Sequence, residues 1–320
     1  MRYFLITITN SSGTVLYTWS SHTSSGAVDP GAPKVELDIP LAQYAKFAGQ
    51  GRITVWGVGL KTISQATQLT GMTVSVVVGM AKGLPLANPN QHGPAIVGTI
   101  FQSWGNWINT NQTLYIVFTN LVGSYNSPIN LALNWKANQP LSQALQASLS
   151  AAFPKYKIDI NVSPKLVNNN DEPSAYGTLS ALNTYLFNRS KALVNSPGYE
   201  GVAVSIANNT VTATDNTQIA TSKTIAYTDI IGQPVWIAVG TIQVMFVMRG
   251  DLFLGNAFTL PATAYTVTES AAYPSPNGLT FSGQYVVSAI RILGNSRQPH
   301  AESWVTVVDA LAQPATKAAA

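Results

Sequence analysis

The chain contains no cysteine, which excludes disulfides and thiolate metal sites while leaving the compartment open. It is also short of charge. Lys and Arg number 17 and Asp and Glu 13 among 320 residues, or 9%, where an ordinary soluble protein carries about 25%. So sparse a charge excludes a highly charged helical or coiled-coil protein. The net charge of +4 comes from scattered single Lys and Arg residues, with no basic run or helix to meet successive phosphates, so this is not a nucleic-acid footprint. Three His residues cannot make a metal site unless carboxylates join them.

Apolar residues make up 46% of the chain, enough for more than one core and too many for general disorder. Neutral polar groups replace charges: Ser, Thr, Asn and Gln together number 98. With Val, Ile, Gly and aromatics this is the composition of β-sheets with many turns. The charge deficit is uneven. Residues 3–28, 83–135 and 230–248 contain no Asp, Glu, Lys or Arg. Two readings fit: a surface covered by partner chains, or a secreted or viral β-protein coated in Ser, Thr and Asn.

Alternating runs predict strands over Tyr3–Thr9, Thr14–Trp19, Lys34–Ile39, Ile53–Gly57, Met72–Met80, Ala95–Gln102, Thr113–Thr119 and Asn130–Asn134. The first of these is too short an apolar run for a signal peptide. Leu60, Ile63, Ala66 and Leu69 predict one short helix. After Gln139-Pro140, the residues Leu141, Ala144, Leu145, Leu149 and Ala152 share a helical face. A strand over Lys157–Val162 follows, then a second helix after Asp171-Glu172-Pro173 carrying Leu179, Leu182, Leu186 and Leu193. A hairpin over Val202–Ile206 and Thr210–Ala213 turns at Asn208-Asn209. Ile230–Met248 is long enough for a short membrane helix, but Gly232-Gln233-Pro234 and Gly240-Thr241 interrupt it, which predicts a turn and a strand over Ile242–Met248.

The fold class is therefore mainly β with a small α/β part. The expected division is a first β-barrel domain over 1–134, an α/β domain with a hairpin over 135–230 and a second β-barrel domain over 231–311. A frayed tail over 312–320 completes it. An internal repeat matches Thr73–Met80 to Thr241–Met248, and matches Gly98–Phe101 before Leu114–Val117 to Gly283–Val287 before Trp304–Val308.

Signs of catalysis are sparse. No nucleophile elbow, zinc helix or phosphate loop occurs. Gly57-Val58-Gly59 lacks the third glycine of a dinucleotide turn. His300-Ala301-Glu302 would share one face of a strand, without a third ligand. Asp171 and Glu172 adjoin each other before a helix, where carboxylates usually cap. Glu269 stands alone in the otherwise uncharged stretch 252–290. No catalytic residue, metal or cofactor is assigned. Trp104, Trp107 and Tyr115 cluster in one uncharged region, and Trp236, Tyr285 and Trp304 fall in the second β-rich region. Such groups serve cores and subunit interfaces more often than sugar platforms. Trp104, Trp107, Ile116, Trp236, Val244, Tyr285 and Trp304 are the packing and assembly candidates.

Several segments resemble the baseplate hub proteins of contractile-tailed bacteriophages, a family with two tail-tube-like barrels per chain. Arg52-Ile53-Thr54-Val55-Trp56-Gly57-Val58-Gly59, the stretch from Gly79 to Leu86 and Gly98-Thr99-Ile100 look like its first barrel. Ile231-Gly232-Gln233-Pro234, Asp251-Leu252 and Gly255 look like the start of its second. Gly283-Gln284-Tyr285-Val286-Val287 and Glu302-Ser303-Trp304-Val305-Thr306-Val307 resemble its closing strands. These are packing patterns, not catalytic signatures. The resemblance implies a non-enzymatic homotrimer forming a pseudo-sixfold ring, located in the virion's tail baseplate and assembled in the host cytoplasm. Its implied partners are a hexameric tail tube protein or adaptor ring, a trimeric central spike and other baseplate proteins. DNA would only pass through the bore, and the α/β part would decorate or buttress the ring. Another β-rich tail part, a glycan-binding tail protein, and a peptidoglycan hydrolase using Glu269 stand as alternatives.

Overall fold

A computed structural model describes the chain except residues 1, 44–49, 82–90, 120–129, 197–198, 208–209, 216, 218–221, 262–280, 282 and 314–320. The expected turn at Asn208-Asn209, the lone Glu269 and most of the predicted tail lie outside the described residues. The fold is mainly β, and a small α/β part lies along the chain between two β-rich halves.

The first half contains β1 (Arg2–Thr9), β2 (Val15–Ser20), β3 (Val35–Gln43), β4 (Gly51–Trp56), β5 (Thr73–Met80), β6 (Gly93–Ile108) and β7 (Asn111–Thr119). Period-2 alternation explains most of them. In β1 the side chains of Phe4, Ile6 and Ile8 are buried while Leu5, Thr7 and Thr9 face the other way; Val74, Val76 and Val78 do the same in β5. A two-residue turn at Asn109, whose φ of 53° suits asparagine, joins β6 to β7.

Between β4 and β5 the expected single helix is broken. Helix α1 (Leu60–Ser64) is followed by a 3-10 turn over Ala66–Leu69. Ala66 and Leu69 are buried and Leu60 is exposed. The Ser103 hydroxyl donates to the Ala66 carbonyl at 2.6 Å, tying the tighter turn to β6.

The α/β part comprises β8 (Leu131–Trp135), α2 (Leu141–Ala152), β9 (Lys157–Asn161), β10 (Glu172–Tyr176), α3 (Leu179–Val194), β11 (Ala203–Ala207) and β12 (Thr210–Thr214). It has its own apolar core, which runs from Leu131 to Ala213. Strand β8 belongs to that core and pairs with β10, apart from the large sheet. The second helix starts later than its sequence suggests. Pro173 holds Glu172 in extended backbone, the segment pairs as β10, and Thr178 accepts the Ala181 N–H at 3.1 Å as the cap of α3.

The second half contains β13 (Lys223–Thr224), β14 (Val235–Ala238), β15 (Thr241–Val247), β16 (Ala257–Leu260), β17 (Gly283–Asn295) and β18 (Trp304–Ala312). The uncharged segment from Ile230 to Met248 is thus a strand pair turning at Gly240. Among the described residues no helix is long and apolar enough to cross a membrane. Strand β18 continues to Ala312, and the Gln313 N–H donates to the Gln284 carbonyl at 3.0 Å, so order reaches into the expected tail.

All strands outside the α/β part form one 13-stranded sheet with the path β14-β15-β18-β17-β3-β4-β7-β6-β5-β1-β2; β16 pairs with β17 and β13. One apolar cluster spans both halves, from Phe4 and Ile116 to Val244 and Trp304. Several contacts stitch the halves together. Strand β17 pairs with β3, the Trp304 indole donates to the Gly79 carbonyl at 2.9 Å, and the Arg2 guanidinium donates to the carbonyls of Asn295, Gln298 and His300.

The sheet is internally duplicated. The sequence repeat pairs β6 with β17 and β7 with β18 as the topology does, and differs from it in pairing Thr73–Met80 with Thr241–Met248. The antiparallel order β3-β4-β7-β6-β5 recurs as β14-β15-β18-β17-β16. Strand β15 is thus equivalent to β4, and the equivalent of β5 is β16. The long strands bulge at the same place, at Phe101 in β6 and Ser288 in β17. The preceding residue is held identically in each. Gly71 N–H donates to Ile100 O and Ile100 N–H to Met72 O, both at 2.8 Å; Gly255 N–H donates to Val287 O and Val287 N–H to Asn256 O, both at 2.9 Å. Gly71 and Gly255 have φ of 83° and 77°, a left-handed turn that glycine tolerates. Chemical similarity between β5 and β15 misled the sequence comparison, because any buried strand in such a sheet reads Thr-Val-x-Val.

Candidate assembly surface

The seven packing candidates separate into two groups. Ile116 and Val244 lie wholly inside the shared core, as do Tyr285 and Trp304. Tyr285 stacks on Phe258 at 5.8 Å between centroids, and burial pushes its phenol up to about 12. These four positions build the chain, and other residues present its surface. Trp104, Trp107 and Trp236 form the second group. Trp104 is 38% exposed and stacks on Tyr115 at 5.2 Å; Trp107 is 59% exposed. Trp236 is half-buried against Phe281.

Of the large exposed apolar residues, Val15 and Leu16 lie on the edge strand β2, and Val28, Leu60 and Tyr227 lie elsewhere. The other six gather on two further sheet edges. One is the distal end of β6, with Trp104, Trp107 and Ile108. The other is β14 and its turn, with Val235, Ile237 and the 90% exposed Val239. Among the described residues β14 pairs only with β15, and β6 beyond its bulge pairs only with β7. Two open backbone edges flanked by apolar side chains are a template for strand addition. Sequence reading found the aromatics but passed over Ile108, Val235, Ile237 and Val239. Their signal was an uncharged apolar run, which a buried strand produces equally well.

The edge-to-edge chemistry is displayed once within the chain, where β3 lies against β17. The register sets Leu293 opposite Asp38, Ile292 opposite Ile39 and Arg291 opposite Pro40. On the solvent face Arg291 clasps Asp38 through two bonds of 2.8 and 2.9 Å, which raises the Arg291 guanidinium above its ordinary value. Arg52 approaches the same carboxylate at 3.9 Å. Asn295 donates to Glu36 at 3.1 Å. Ile39 and Ile292, on the other face, are fully buried.

The groups considered for chemistry are engaged otherwise. Asp171 accepts the Ala137 N–H and the Lys136 ammonium, each at 2.9 Å, and these bonds hold its carboxyl below the usual range. Glu172 pairs with Arg189 at 3.1 Å. Neither caps a helix. His300 precedes a 3-10 turn over Ala301–Ser303, so His300 and Glu302 do not share a strand face. Gly57-Val58-Gly59 leads from β4 into the short α1. Among the described residues no three of His, Asp and Glu come together as metal ligands.

No protein-family model matches the chain, and no curated protein matches it in sequence. Solved structures do match. A tail protein from Neisseria meningitidis MC58 aligns with a TM-score of 0.53 at 9% identity, covering 96% of each chain. The 43 kDa tail protein of prophage MuSo2 from Shewanella oneidensis aligns with a TM-score of 0.53 at 8% identity, covering 98% of each. Over nearly its whole length, the chain shares the fold of these tail proteins.

Proposed function

We propose that this chain is a structural component of a phage-type tail, a central baseplate hub built as a ring of three copies. Each copy contributes two equivalent five-strand units, so three copies make six. Such a ring matches a sixfold tube on one side and a threefold spike on the other, and leaves a bore through which DNA passes. The observation that carries the reading is the duplicated unit within one continuous sheet. Its support is the fold shared with tail proteins and the apolar open edges at β14 and β6. Head-to-tail contacts between unlike edges close into rings. The reaction chemistry of an enzyme has no part in this reading, nor has a cofactor.

Mass measurement combined with negative-stain microscopy of the purified protein tests it. The expected result is a threefold ring with a central hole. A ring of six copies would assign the chain to the tube or an adaptor instead. A monomer at high concentration would refute the reading.

A further inference from the structure

We infer that β14 of one copy adds antiparallel to β6 of the next, in the register by which β3 lies on β17 within each copy. This rests on the ring reading above and specifies its seam.

The argument is a transfer between equivalent strands. On β17 the bulge at Ser288 marks a change of neighbour. The register runs with β16 up to Val286 and with β3 from Ala289 onward. On β6 the equivalent bulge at Phe101 ends the register with β5, whose last pair is Thr99 with Thr73. From Gln102 onward β6 has, among the described residues, no strand in the place that β3 takes beside β17. The strand equivalent to β3 is β14, an edge strand with nothing on its outer side among the described residues.

The common neighbours set the correspondence residue by residue. Asp38 pairs with Arg52, which pairs with Val117; Val235 pairs with Gln243, which pairs with Asp309. Val117 and Asp309 in turn face Gln102 and Ala289, the first residues after the two bulges. Val235 therefore stands for Asp38 and, continuing along the strand, Trp236 for Ile39; Ile237, unpaired at the shift in the β14–β15 register, follows in the place of Pro40. On the other strand Trp104 stands for Arg291, Gly105 for Ile292 and Asn106 for Leu293. The seam then sets Val235 opposite Asn106, Trp236 opposite Gly105 and Ile237 opposite Trp104.

The side chains fit this placement. Residues directly opposite share one face of a sheet. Trp104, Val235 and Ile237 fall together on the solvent face, so the seam covers these three of the exposed apolar groups. On the core face Trp236 falls opposite Gly105, whose lack of a side chain is already used by its own chain: a Cβ there would come within 2.4 Å of Ile63, so the indole lies beside Ile63. The internal junction holds Arg291 and Asp38 as a diagonal ion pair. The seam replaces that pair with Trp104 and Val235, an apolar contact suited to surfaces that meet only on assembly.

Two experiments test the register. The chain has no cysteine of its own, so single-cysteine variants report cleanly. Asn106→Cys and Val235→Cys chains, mixed during assembly and oxidised, should form a disulfide-linked heterodimer, since opposed residues lie within disulfide reach. Asn106→Cys mixed with Trp236→Cys points the two thiols to opposite faces and should give none. In the second experiment, Val235→Asp alone should lower ring yield at least 10-fold, and adding Trp104→Arg should restore it by rebuilding the internal ion pair at the seam. Rings that form without the 106–235 crosslink, or that the double variant fails to restore, overturn the register and leave the ring standing. A wild-type chain that forms no ring overturns both.

Discussion

Trp304 is the position at which the coupling of the two halves can be measured. Its ring is almost fully buried, lies 6.4 Å from Phe4 and fills the space above Gly294, where an added Cβ would strike it. Its indole N–H reaches the Gly79 carbonyl in the other half. Replacing a buried tryptophan with alanine costs about 3–5 kcal/mol, the transfer term plus the cavity. Trp304→Phe keeps most of the volume but removes the hydrogen bond and strands a buried carbonyl, a loss of about 1–3 kcal/mol. Urea unfolding followed by circular dichroism reads both variants. With a slope of about 3 kcal/mol per M, the alanine variant should lose roughly 1–1.7 M in midpoint. Because one sheet and one core span both halves, the large sheet should still unfold in a single transition. A midpoint shifted by less than about 0.2 M, or a sheet that melts in two separate steps, would refute the argument that Trp304 packs the halves into one body.

Arg249 should be the least replaceable charge. It is buried with Asp251 at 2.9 Å and Asp229 at 3.4 Å. Arg249→Met strands the buried Asp229 carboxylate, while Asp251 keeps Lys223 at 3.6 Å, and should cost about 3–5 kcal/mol; a thermal shift within error of wild type would contradict this. Tyr285 should make the chain sensitive to alkali. Burial raises its phenol from 10 to about 12, so the folded state favours the protonated form. That contribution is complete below pH 10 and fades as pH rises from 10 to 12. Tyr285→Phe should therefore lose less stability than wild type between pH 9 and 11.5 in parallel urea titrations, and equal losses would refute the assignment.

Much of the local structure is legible along the chain. Alternation locates β1, β5 and β7, since a strand with one buried face must repeat every two residues. The stripe from Leu141 to Leu149 locates α2, whose buried residues follow that face. The assembly candidates were legible only as residue types. Buried Trp304 and exposed Trp107 both fall in strand-like sequence, and alternation alone does not separate a tryptophan that fills a core from one that waits on an edge. The run Glu172–Tyr176 shows the same limit, since its pairing with β8 depends on a strand more than 30 residues away.

The scarcity of charge and the period-2 pattern, both local properties, were enough to determine a mainly β chain with an α/β part and apolar strands. Which strand lies beside which was decided by the tertiary structure alone. Backbone hydrogen bonding between strands is nearly indifferent to side-chain identity, so β15 could resemble β5 in sequence yet occupy the place of β4. Only the assembled sheet distinguishes the edges already joined, β3 and β17, from those without a second strand among the described residues, β2, β14 and distal β6.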